Sequence, residues 1–289
     1  MIKHYEGMLG EFDYDDEEFK IVKLDEEDAE YLHYIGKGLS VDLPEGCINT
    51  SYMFYDCNLP KGFTLGDKFD TSNVKYMKSM FMNCMLPKSF SLGDKFDTSN
   101  VEDMQHMFTN CILPKGFSLG DKFDTSNVVS MKFMFYDCNL PKGFTLGDKF
   151  DTAKVKDMYY MFSHCVLPEG FTLGDKFNTS KVEDMVGIFC YCKLPKGFSL
   201  GDHFDTSNVH YMSWMFAKCR FPEGFTLGNK FNTSNVRYMS SMFYGCILPK
   251  GFTLGDKFIT SKVKNMSYMF DKCKLPEGMI EKILLNDNK

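Results

Sequence analysis

The chain has 289 residues, 44% of them hydrophobic, enough to bury a sizeable core. Its net charge of −6 is unevenly spread, since residues 1–42 hold thirteen acidic and four basic side chains. No strongly basic patch of the nucleic-acid-binding kind is present, and no apolar run reaches the length of about eighteen residues that a membrane span needs.

The chain opens on MIKHYEGMLGEFDYDDEEF, which lacks the apolar stretch of a secretory signal, so two expectations stay open: a cytoplasmic protein, or one whose export signal is missing from this sequence. Within residues 1–42, EFDYDDEEFKIVKL and AEYLHYIGKG alternate like strands joined by a turn. They are expected to form a small β-rich cap.

From residue 43 the sequence is periodic. A truncated unit, 43–58, is followed by eight complete units of 27 residues over 59–274, with no insertion. A fixed period of this size implies units that bury their apolar faces on one another, so each position forms a column. In LPKGFTLGDKFDTSNVKYMKSMFMNCM, the first unit, Phe63, Thr64 and Leu65 alternate as in a short strand between turn residues. Val74, Met77, Met80, Phe81 and Cys84 then recur at the spacing of a core-facing helical stripe, with Ser72 or Thr71 as its cap. These readings predict an α/β, leucine-rich-repeat-like solenoid whose units each hold a short parallel strand and a short helix. Residues 275–289 are expected to close the far end, with MIEKILL as a short amphipathic helix.

The phrase FDTSNVxxMxxMFxxC resembles the repeat of bacterial BspA-type leucine-rich-repeat surface proteins, and the resemblance covers residues 43–279. It implies a binding or adhesion scaffold at the cell surface, without catalytic residues or cofactor.

Several columns invite a chemical reading. Cys57, Cys84, Cys111, Cys138, Cys165, Cys192, Cys219, Cys246 and Cys273 lie one unit apart. A ladder cannot be paired off throughout by disulfides, and zinc sites use close cysteine pairs. On an apolar arc free cysteine acts as a small hydrophobe, so the column is read as core, with no metal site. The three phenylalanine columns beginning at Phe63, Phe69 and Phe81 use 24 of the 29 phenylalanines and are also read as core. A metal-binding array on the Cys or Asp ladders remains a competing reading.

The positions equivalent to 75, 79 and 82 change from unit to unit and should face outward. They carry aromatics the core does not need: Phe133, Tyr136, Tyr160, Trp214, Tyr244 and Tyr268. Exposed tyrosine and tryptophan serve as anchors at interfaces, so these six are the candidate partner-binding residues. The function expected is a non-enzymatic scaffold that binds a protein or cell-surface ligand, with structural self-association as the alternative.

Overall fold

The computed structural model describes residues 1–23 and 29–275. The expected α/β leucine-rich-repeat solenoid does not form. The described residues contain no helix, and their regular structure is six short strands in three two-stranded sheets.

Five of these strands belong to the acidic N-terminal segment, four of them in two hairpins. Strand β1 (Ile2–Gly7) pairs antiparallel with β2 (Gly10–Asp15), and β3 (Phe19–Lys23) with β4 (Glu30–Tyr34). Tyr34 donates its N–H to the Met53 carbonyl, and its ring packs 5.5 Å from that of Phe54 and 5.6 Å from that of Phe63. The second hairpin therefore lies against the truncated first unit.

The strand expected in every unit forms once, where β6 (Thr64–Leu65) pairs parallel with β5 (Ser40–Val41). Turns on either side leave it little room: Phe63 N–H bonds the Pro60 carbonyl and Phe69 N–H that of Gly66. Elsewhere successive units are joined by single parallel bridges at two other columns. One runs Asn49, Tyr76, Asp103, Ser130, Asp157, Asp184, Tyr211, Tyr238, Asn265. The other includes Met85 to Ile112 and Asn139 through Val166, Lys193, Arg220 and Ile247 to Lys274.

The segment read as a helix is a run of linked turns. Met80, Met82 and Cys84 donate their N–H groups back to the carbonyls of Met77, Ser79 and Phe81. The alternate N–H groups, of Met77, Ser79, Phe81 and Asn83, go to Asp103, Gln105, Met107 and Thr109 in the next unit. A helix would bond each N–H four residues back within the segment. Ser79 and Asn83 also adopt φ of 55° and 60°, at the position where a type II turn requires a positive value. Equivalent left-handed residues recur in every unit as far as Tyr268 and Lys272. Such a residue every fourth position is incompatible with a right-handed helix.

The turn run nonetheless buries the residues assigned to the helical stripe: Val74, Met77, Met80, Phe81 and Cys84 are all inside. The rings of the Phe81 column stack face to face, with Phe108, Phe135 and Phe162 spaced 5.6 Å centre to centre. Most cysteines of the column add a hydrogen bond to this core. Cys138 and Cys165 donate their thiols to the carbonyls of Phe108 and Phe135 in the preceding unit. Burial pushes the Cys138 thiol up to about 12, away from the thiolate that metal binding or attack requires.

The Asp-Thr-Ser phrase has its own geometry in place of the expected helix cap. Asp70 Oδ1 accepts the Ser72 N–H at 2.9 Å, a local turn about the aspartate. Thr71, wholly buried, donates its hydroxyl to the Asp97 carbonyl of the next unit at 2.7 Å. The bond recurs at Thr98, Thr125, Thr152, Thr179, Thr206 and Thr233. The expected C-terminal helix at 279–285 lies outside the described residues.

Candidate interaction surface

The expectation that positions 79 and 82 face outward holds only in part: Ser79, Thr109, Ser163, Cys190, Ala217 and Ser241 are buried, while Trp214 and Tyr268 are exposed. Two columns of left-handed residues run along these turns. The first reads Tyr52, Ser79, His106, Phe133, Tyr160, Gly187, Trp214, Ser241, Tyr268; the second runs from Asp56 through Asn83, His164, Tyr191 and Lys218 to Lys272. Stacking one unit on the next sets these side chains side by side.

Three of the six candidate residues come together. The Phe133 ring lies 5.6 Å from Tyr160 in a stacked arrangement, and Tyr136 lies edge-on to Phe133 at 5.4 Å. The cluster is larger than the six. His106 stacks on Phe133 at 4.5 Å, Tyr159 lies 4.6 Å from Tyr160, and His164 stacks on Tyr191 at 4.6 Å. Tyr136 links the two groups through His164 at 5.4 Å. Seven rings thus form one surface patch, half-buried at Phe133 and Tyr160 and open at Tyr191, which is 49% exposed.

A second patch lies further along the same columns. Trp214 packs 5.9 Å from Tyr244, and the ammonium groups of Lys218 and Lys272 lie over the Tyr244 ring at 5.2 and 5.3 Å. Tyr268 is 66% exposed and pairs with no ring among the described residues. Between the patches stands Gly187, against which the Tyr160 ring folds: a Cβ there would meet that ring at 2.6 Å.

His106, Tyr159, His164 and Tyr191 escape the sequence reading. Tyr159, His164 and Tyr191 fall outside the columns at 75, 79 and 82, and the histidines look unrelated when counted by unit position. The geometry of the turns makes positions 79 and 83 neighbours on one face. The signal was the side-chain type at position 83. Asn83, Asn110, Asp137 and Gly245 belong to the types that most readily adopt a left-handed backbone.

Burial sets the electrostatics. It pushes the Tyr160 hydroxyl up to about 12, with the nearby Cys190 adding to the effect. It lowers the His106 imidazole, as does Lys78 to a smaller degree. Beside the first patch, burial raises the Asp184 carboxyl to about 6, although its Oδ1 accepts the Val186 N–H at 2.9 Å. Lys132 pairs with Asp157 at 3.0 Å, one unit away. Among the described residues, no three His, Cys, Asp or Glu side chains gather as a metal site would need. No helix among them is long and apolar enough to cross a membrane.

A family model described as "Mycoplasma protein of unknown function, DUF285" matches residues 48–167, 117–194 and 169–283, that is, nearly all the repeats. No curated protein matches the chain. No solved structure matches it either.

Proposed function

The chain belongs to this DUF285 repeat family, and within it we propose that the protein is a non-enzymatic interaction scaffold that binds a protein or cell-surface ligand through its outward aromatic columns. One observation carries the reading. The columns at 79 and 82 vary between units while those at 80 and 81 stay nearly constant, and some of the variable positions assemble a continuous, partly exposed patch of rings. A surface under no demand has no reason to gather half-exposed tyrosine, phenylalanine and histidine, which carry large contact area at low entropic cost. The resemblance of the repeat phrase to BspA-type surface proteins favours adhesion among the forms such binding takes.

A catalytic reading finds little support. The Thr109 hydroxyl lies 3.3 Å from His106 Nδ1, the spacing of a weak nucleophile–base contact. It is buried, however, and donates to the Phe133 carbonyl at 2.6 Å.

The test is the triple variant Phe133→Ala, Tyr160→Ala, Trp214→Ala, used as bait in lysate and surface extract beside the parent chain. Loss of every partner the parent captures is expected. Full retention would end the proposal.

A further inference from the structure

The cysteines of the column occupy one repeated position, but the last differs from the rest of the ladder in its surroundings. Cys84 through Cys246 lie inside, none more than 3% exposed, whereas Cys273, in the unit 248–274, is half-buried. Its neighbour in the column is Cys246. Lys274 donates its N–H to the Cys246 carbonyl at 2.9 Å, and Ile247 and Lys274, the residues next in sequence, form a parallel bridge. The rings of Phe243 and Phe270, on the same two units, stack at 5.3 Å. Backbones paired in this way lie about 4.8 Å apart, and a disulfide joins Cα atoms about 4.4–6.8 Å apart. The whole ladder cannot be paired off, but one adjacent pair at its end can.

Access and acidity select the same residue. A hydrogen-bonding contact with the Cys246 thiol holds Cys273 below the ordinary thiol value, against the effect of burial. Burial, helped by the same contact, pushes Cys246 up. The pair thus keeps its proton on the closed member and offers a thiolate on the open one. Cys57, half-buried at the other end of the ladder, lacks this arrangement: burial pushes its thiol up to about 11.

We propose that Cys246 and Cys273 form a redox-sensitive modification site, oxidised to an intramolecular disulfide by a low-molecular-weight disulfide. The Cys273 thiolate attacks one sulfur of the small disulfide and expels the other, leaving a mixed disulfide on Cys273. Cys246 Sγ then attacks Cys273 Sγ and expels the second small thiolate, which takes up the Cys246 proton. Two protein thiols are oxidised, and one small disulfide is reduced to two thiols. The new bond replaces the thiol–carbonyl hydrogen bonds of Cys246 to Phe216 and of Cys273 to Phe243, and it ties the unit 248–274 covalently to the one before it. The site stands independently of the aromatic surface and of the interaction reading.

The experiment incubates the full chain, reduced and freed of reductant, with oxidised glutathione, followed by intact mass and peptide mapping under non-reducing conditions. A chain lighter by two hydrogens is expected, with a linked peptide joining Cys246 to Cys273 that reductant separates. Cys246→Ser should stop at the mixed disulfide, carrying glutathione on Cys273. A second readout needs no substitution in the core: iodoacetamide at neutral pH should modify Cys273 of the parent chain about tenfold or more faster than any other cysteine, Cys57 included. Absence of the link, a link between any other pair, or another cysteine alkylated as fast as Cys273 overturns the proposal.

Discussion

Met80 and Phe81 are wholly buried, whereas the two columns on either side of them range from buried, as at Ser79 and Ser163, to exposed, as at Trp214 and Tyr268. Over the complete units the inward pair departs from Met-Phe once, at Ile188, whereas the flanking pair differs in every unit. One backbone arrangement serves both, because alternate N–H groups close turns or reach the next unit whatever the outward side chain is. The inward side is held constant by ring stacking at about 5–6 Å, since a change of volume in one unit would propagate to the next. The flanking columns change from unit to unit.

The contrast can be broken most severely from inside. Phe135 is wholly buried and stacked between Phe108 and Phe162. Phe135→Ala should lower unfolding free energy by about 3–5 kcal/mol in denaturant titration, the usual cost of emptying a large aromatic site. A loss below about 1 kcal/mol would mean that the stack is not the main support.

Gly187→Ala acts at the boundary between the two sides. Its φ of 61° suits glycine, and the added Cβ would meet the Tyr160 ring at 2.6 Å. About 1–2 kcal/mol of destabilisation is expected. A shift in tyrosine fluorescence should accompany it as the ring moves.

Asp184 gives a smaller effect of opposite sign. Its folded-state carboxyl titrates near 6, above the ordinary 3.8, so between those values the folded chain holds more protons than the unfolded one. Stability should therefore fall as pH rises through that window and level off above it. Asp184→Asn should remove this slope and stabilise the chain at neutral pH by about 1 kcal/mol, after allowance for solvent screening of a partly exposed carboxylate. A variant less stable than the parent at pH 7 would show that the carboxylate has a partner which compensates its burial.

What the sequence made legible follows the same division. The inward columns could be read correctly from Val74 to Cys84 because constant identity at a constant period marks a core. The backbone could not. A helix and a chain of alternating turns both bring positions 74, 77, 80, 81 and 84 inside, and they differ in where the N–H groups go. Ser79 and Asn83 send theirs to a unit 26 residues further along, a destination no hydropathy pattern records. Of the candidate surface, Phe133, Tyr136 and Tyr160 were legible as a group. His164 and Tyr191 were not, because their column joins the outward face only when position 83 is left-handed.

The smallest expected effect on stability belongs to the outward side, and it tests the division most directly. Thermal melts of the Phe133→Ala, Tyr160→Ala, Trp214→Ala variant should be run beside those of Phe135→Ala and the parent, with binding measured on the same samples. The account expects the triple variant to melt within about 3 °C of the parent while its association is lost. Phe135→Ala should melt far lower yet still bind below its own transition. A triple variant that unfolds as early as Phe135→Ala, or that binds as the parent does, would contradict it.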